Sequence, residues 1–147
     1  MCSIVARLTW LDDMLRENLH KQGKRDIPYP VIEAFAKLKN SKSISRLVVD
    51  NAVSKLSEGK NIFFESSQVK TIVSELYQIS CRKVLQSLGG QGYDKQSFVE
   101  KELRDATATS IYSGANEILY RLIAKSRLWK TIERAFYPFW TTKIISF

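Results

Sequence analysis

Residues 66–93 read SSQVKTIVSELYQISCRKVLQSLGGQGY, and the reading of this stretch decides the fold. Val69, Ile72, Val73, Leu76, Ile79 and Val84 recur with a helical period, which predicts a helix from about Ser66 to Leu88 with one face on a core. Gly89 and Gly90 stop it, as glycine does at helix C-termini. No stretch of the chain alternates with the period of a strand.

The same period extends outward on both sides. Ile4, Leu8, Leu11, Leu15 and Leu19 predict an amphipathic helix at the start, and Gly23, Pro28 and Pro30 mark a connection. From Val31 to Leu56 the pattern is again helical, through Val31, Phe35, Leu38, Ile44, Leu47, Val48, Ala52, Val53 and Leu56. The polar stretch KNSKS at 39–43 is either an exposed turn of one long helix or a break between two. Gly59 ends the segment. Ser97 with Glu100 is a capping-box signature opening a helix over SFVEKELRDATA. A last pattern begins near Gly114 and carries Ile118, Leu119, Leu122, Ile123, Trp129, Ile132 and Phe136, with Pro138 as its break. The expected architecture is all-α, an antiparallel helix bundle in one domain over 1–147, with residues 1–30 as helix and linker and 128–147 as an aromatic tail.

Composition narrows the function classes. The formal net charge of +8, from 23 basic and 15 acidic residues, attracts phosphates of any kind. No aromatic RNA-binding motif accompanies it and no basic block exceeds KQGKR at 21–25, so nucleic acid is not the expected partner. Cys2 and Cys81 have no metal-ligand spacing and point to a reducing compartment. No apolar run reaches membrane-spanning length, and Arg7, Asp12 and Asp13 interrupt the start too early for a signal peptide. The expectation is a cytoplasmic protein without a metal. His20, at the end of its helix beside lysines, reads as a surface residue.

Three blocks of sequence carry a more specific signal. Gln86, Gly89, Gly90, Gly92 and Tyr93 form the first; Glu100, Lys101, Arg104, Asp105 and Ala106 the second; Ile111, Tyr112, Gly114, Asn116, Glu117 and Ile118 the third. In this order and at these spacings they resemble the C-terminal helical domain of the acyl-CoA dehydrogenases, most clearly over 66–127. The resemblance implies an FAD-dependent oxidoreductase, in which a carboxylate removes the α-proton of an acyl-CoA thioester and the flavin accepts a hydride from the β-carbon. It implies that Gln86, Ser87, Leu88, Gly89 and Gly90 meet the adenosine–pyrophosphate end of FAD held mainly by a neighbouring subunit. Ala115, Asn116 and Glu117 match the segment lining the flavin, and Gly114 matches the position beside the thioester. Read from the residues alone, the glycines are equally a helix cap and a tight turn.

The chain also departs from that pattern. Ser113 occupies the position where many family members carry the catalytic glutamate, and a serine hydroxyl is un-ionised at neutral pH. The alternative seat of the base precedes an Arg-x-x-Phe-Gly motif, whose best counterpart here, residues 24–29, keeps neither the phenylalanine nor the glycine. The family's N-terminal helical domain and middle β-domain have no counterpart in these 147 residues. The expected activity is therefore that of one part of an oxidoreductase, inactive alone and needing a partner chain with the other domains and the base. Acyl-CoA is expected only in such a complex. The competing reading is a non-catalytic oligomerisation or regulatory module derived from the same fold. Self-association is expected in either case, because the family tetramerises through this domain.

Overall fold

The computed structural model describes residues 2–21, 23 and 26–125. The expected features at Lys24 and Arg25, at Trp129, Ile132, Phe136 and Pro138, and in the aromatic tail lie outside the described residues. Among the described residues the helices are α1 Cys2–Lys21, α2 Tyr29–Ser57, α3 Phe63–Leu88, α4 Gly90–Tyr93 and α5 Phe98–Thr109. Residues 116–125 are also helical and are called α6. No strand occurs among the described residues. The core lies where α3 meets α1, α2 and α5.

Local chemistry explains most of the boundaries. Pro28 caps α2 and Pro30 sits in its first turn, where the missing amide hydrogen is harmless. At the other end Gly59 takes φ +71, and its amide donates to the Leu56 carbonyl at 3.0 Å. α3 begins at Phe63, three residues before the expected start, because Asn61 Oδ1 accepts the Phe63 amide at 2.9 Å. Ser97 does precede α5, yet its hydroxyl makes no capping bond. The carboxylate that a capping box requires is engaged elsewhere: Glu100 pairs with Arg104 at 2.9 Å.

The KNSKS stretch is neither a break nor wholly exposed, since α2 runs straight through it with Ser41 buried. The inward face of α2 is Val31, Ala34, Leu38, Ser41, Ser45, Val49 and Ala52, a seam at spacings of three and four. This corrects the expected face, because Ile44, Leu47, Val53 and Leu56 are exposed. Small residues were chosen over larger apolar ones at the contact. α3 also buries small residues, Ser67, Thr71 and Ser74 among them.

Buried hydroxyls on α3 bond back to their own helix: Ser67 donates to the Phe63 carbonyl at 2.9 Å and Ser80 to the Leu76 carbonyl at 2.7 Å. Ser45 Oγ on α2 is fully buried and has no partner. Replacing Ser45 by alanine is expected to raise stability by about 1 kcal/mol, because the stranded hydroxyl costs free energy and alanine is the better helix former. The urea midpoint measures this, and a lowered midpoint would refute it.

Candidate functional site

The third block of sequence becomes a closed loop between α5 and α6. The Asn116 amide donates to the Ser110 carbonyl at 2.9 Å and so ties the two ends of the loop together. Residues 111–114 project from that base, all exposed. Ser113 stands at φ +59, the only non-glycine residue in the left-handed region among those described, and Gly114 follows at φ +91. Serine has no intrinsic preference for that region, so the surroundings must hold it there.

Asn116 anchors the base of the loop. It is the one fully buried residue of the loop, and its Oδ1 accepts from Lys70 Nζ at 2.7 Å. Its Nδ2 donates to Ser74 Oγ at 3.0 Å. Lys70 is itself only 6% exposed, and burial pulls its ammonium below the ordinary lysine value while the Glu117 carboxylate opposes that shift. Ala115 is half-buried, and its carbonyl accepts from the Ile118 and Leu119 amides to start α6. Tyr120, one turn into α6, donates to Glu75; partial burial and then that bond push its hydroxyl up to about 12.

The first block lies at the far end of α3. Gln86, Gly89 and Gly90 are exposed, Ser87 spends its hydroxyl proton on the Val84 carbonyl at 2.7 Å, and Leu88 packs against the core. Gly89 caps α3 at φ +59, and Gly90 opens the single turn of α4. A Cβ placed on Gly89 or Gly90 would meet no atom within 4 Å, whereas one on Gly92 would stand 2.4 Å from the Leu85 carbonyl oxygen. The three glycines thus divide into two with open space before them and one demanded by packing.

The two stretches are not brought together within one chain. Asn116 is anchored at Ser74, and Gln86 lies more than three helical turns further along α3, roughly 18 Å away along the axis. No single compact group could touch both. An extended ligand, or two ligands, would be needed.

A further polar cluster joins three helices and was not expected from the sequence. Glu102 on α5 is 4% exposed and accepts from Tyr77 on α3 and from Arg7 on α1. Asp105 stands 3.7 Å from the same guanidinium, so it pairs with Arg7, while its neighbour Arg104 pairs with Glu100. Burial first, and then the bond to Glu102, push the Tyr77 hydroxyl far above its ordinary value; burial does the same to the Cys81 thiol. A carboxylate doubly engaged in this way is a structural element and is not free to act as a base. A cavity of about 290 Å³ lies beside it, lined by Arg7, Tyr77, Asp105, Thr109 and Tyr112 among others. Another of about 450 Å³ opens between α1 and α2, lined by His20 and Phe35 among others and reached by neither glycine stretch. Among the described residues, no cluster of His, Cys, Asp and Glu could hold a metal ion, and no helix is long and apolar enough to cross a membrane.

Residues 19–128 match the family described as acyl-CoA dehydrogenase, C-terminal domain. The chain is 32% identical over 109 residues to the caffeyl-CoA reductase-Etf complex subunit CarC of Acetobacterium woodii, covering 74% of this chain and 29% of that protein. It is 38% identical over 81 residues to the mitochondrial short/branched chain specific acyl-CoA dehydrogenase of Bos taurus, covering 55% of this chain and 19% of that protein. The structure superposes on butyryl-CoA dehydrogenase from Megasphaera elsdenii with a TM-score of 0.69 at 22% identity, over 85% of this chain and 35% of the other. The chain thus spans less than a third of the length of these curated relatives. It belongs to the acyl-CoA dehydrogenase family, as a C-terminal helical domain.

Proposed function

We propose that this domain forms one wall of a flavin-dependent oxidoreductase acting on a CH–CH bond of an acyl-CoA thioester, the remaining walls coming from outside these 147 residues. One observation carries the reading. The tip of the 110–116 loop is exposed and left-handed at Ser113 and Gly114, while its base is fastened to α3 by buried polar bonds. Backbone held in a sparsely populated conformation by a rigid support is a common feature of ligand-facing turns.

The other end of α3 supports the same reading. Gly89 and Gly90 offer backbone with open space in front of it, which suits the approach of a bulky phosphate-bearing group. On this reading the edge made by Gln86, Ser87, Leu88, Gly89 and Gly90 serves the adenosine–pyrophosphate end of FAD. The backbone of Ala115, Asn116 and Glu117 lines the flavin, with the Asn116 side chain turned away toward Lys70 and Ser74, and Gly114 stands beside the thioester. The separation of the two stretches along α3 favours their serving FAD molecules of different subunits, and exposed Leu47, Phe63 and Tyr93 supply apolar surface for self-association. FAD, when bound, supplies the hydride acceptor. The chain's own part is to orient ligands and exclude water.

Ser113 cannot remove an α-proton at neutral pH, and His20 lies on α1 beside a different cavity. The base must therefore come from elsewhere, and the domain alone turns over no acyl-CoA. That CarC is named as a subunit of an Etf complex favours a multi-chain setting. The alternative, a non-catalytic oligomerisation or regulatory module, is favoured by the same serine.

Gly90 provides the test, because its backbone is ordinary and a Cβ meets nothing. Gly90→Ala should leave stability unchanged within about 0.5 kcal/mol. In the native assembly isolated through a tag on this chain, it should weaken FAD binding at least tenfold, followed by flavin absorbance. Unchanged affinity would remove this edge from the site, and a colourless assembly would favour the non-catalytic module.

A further inference from the structure

The geometry points to Lys70, Ser74 and Asn116 as positioning residues, a buried polar clamp that fixes where the exposed turn 111–114 stands relative to α3. The inference rests on the reading of that turn as a site wall. The clamp joins residues 46 and 42 positions apart in sequence, so it is a tertiary device and no part of the local turn chemistry.

The residue types make the clamp directional. A lysine ammonium can only donate, so it selects the oxygen of the Asn116 amide. The amide nitrogen is then turned to Ser74 Oγ, whose own proton has the Thr71 carbonyl within 3.0 Å. Asn116 is thus held at three points, two through its side chain and one through its backbone bond to Ser110. A hydrophobic anchor of equal size would bury the base of the loop without specifying its rotation.

Keeping a lysine here is costly. Lys70 is nearly buried and lies against the N-terminal end of α6, where the helix dipole disfavours a cation. Glu117 in the first turn of α6 offsets part of that cost through its attraction to Lys70. For holding α6 on α3, leucine or methionine would be cheaper. What the lysine adds is a fixed orientation of the segment leading into Ser113 and Gly114, the residues with the unusual backbone.

Hydrogen exchange by mass spectrometry on the full chain tests this. Asn116→Ala removes both side-chain bonds, and Lys70→Met keeps the stem while removing charge and donor. Each is expected to speed exchange in a peptide spanning 111–117 by at least about tenfold beyond any change in the α3 core at 77–84. Asn116→Asp keeps an acceptor facing Lys70 but loses the donor to Ser74, and should return the loop part of the way to the wild-type rate. Loop exchange that rises only in step with the core would overturn the clamp, as would Asn116→Asp behaving like Asn116→Ala. Flavin titration of the same variants in the native assembly reads the functional proposal separately. A loosened loop with unchanged flavin affinity would overturn the loop as a site wall and leave the clamp standing.

Discussion

Replacing Glu102 by alanine is expected to destabilise the domain by about 3 kcal/mol, the lower end of what removing one partner of a buried ion pair costs. The carboxylate is the shared acceptor of Tyr77 and Arg7 and so ties α5 to α3 and α1 at once. Without it the Tyr77 hydroxyl, in a residue only 1% exposed, is left with no acceptor. Arg7 is less demanding, because its side chain is 47% exposed and can turn to solvent or to Asp105. That escape keeps the loss near 3 rather than 5 kcal/mol. Chemical denaturation measures it. The double replacement Glu102→Leu with Tyr77→Phe should recover at least half of the loss, since apolar groups of similar shape strand no polar atom. A double variant as unstable as the sum of its parts would show that shape, not charge, decides this contact.

The helices were legible wherever large apolar residues alone make the contact. Ile4, Leu8, Leu11, Leu15 and Leu19 were expected to face inward from their spacing; the first four are buried and Leu19 is half-buried. The face of α2 was misjudged for the converse reason. A count of apolar residues is drawn to Ile44, Leu47, Val53 and Leu56, yet α2 turns Ser41, Ser45 and Ala52 inward. The spacing of three and four survives there only if small polar residues are admitted to the pattern. α3 shows the same effect in milder form: Val69, Val73 and Val84 are buried as expected, while Ile79 is half exposed.

The candidate site was legible as backbone and illegible as network. Glycine spacing located both stretches, because Gly89 and Gly114 take left-handed conformations that leave a mark on sequence. The partners that hold the loop left no such mark, since Lys70 and Ser74 precede Asn116 by 46 and 42 residues. A weaker signal did exist. Lys70 interrupts an inward arc through Ser67, Ser74 and Tyr77, and Glu102 sits between Val99 and Ala106 on the buried face of α5. A charged residue at the spacing of a core stripe points to a buried partner, although it cannot say which one.

Gly92→Ala is expected to cost about 3 kcal/mol or more, above the usual range for overpacking. Its backbone is unstrained, so the penalty comes from space alone. The added methyl would stand 2.4 Å from the Leu85 carbonyl oxygen and 3.0 Å from Leu88 Cβ. A flexible side chain could swing aside, but a helix carbonyl cannot move without breaking the last turn of α3. Relief must come from shifting α4, whose first turn is tied to α3 by the Gly92 amide donating to the Gly89 carbonyl at 3.0 Å. The shift therefore reaches Gly89 and Gly90, the exposed edge proposed to meet a dinucleotide. Gly92→Ala should accordingly lower both stability and flavin affinity, while Gly90→Ala lowers only the second. Denaturation midpoints and flavin titrations on the two variants separate the roles of the glycines. Equal stability losses at 90 and 92 would refute the division of that motif into one packing residue and one ligand-facing residue.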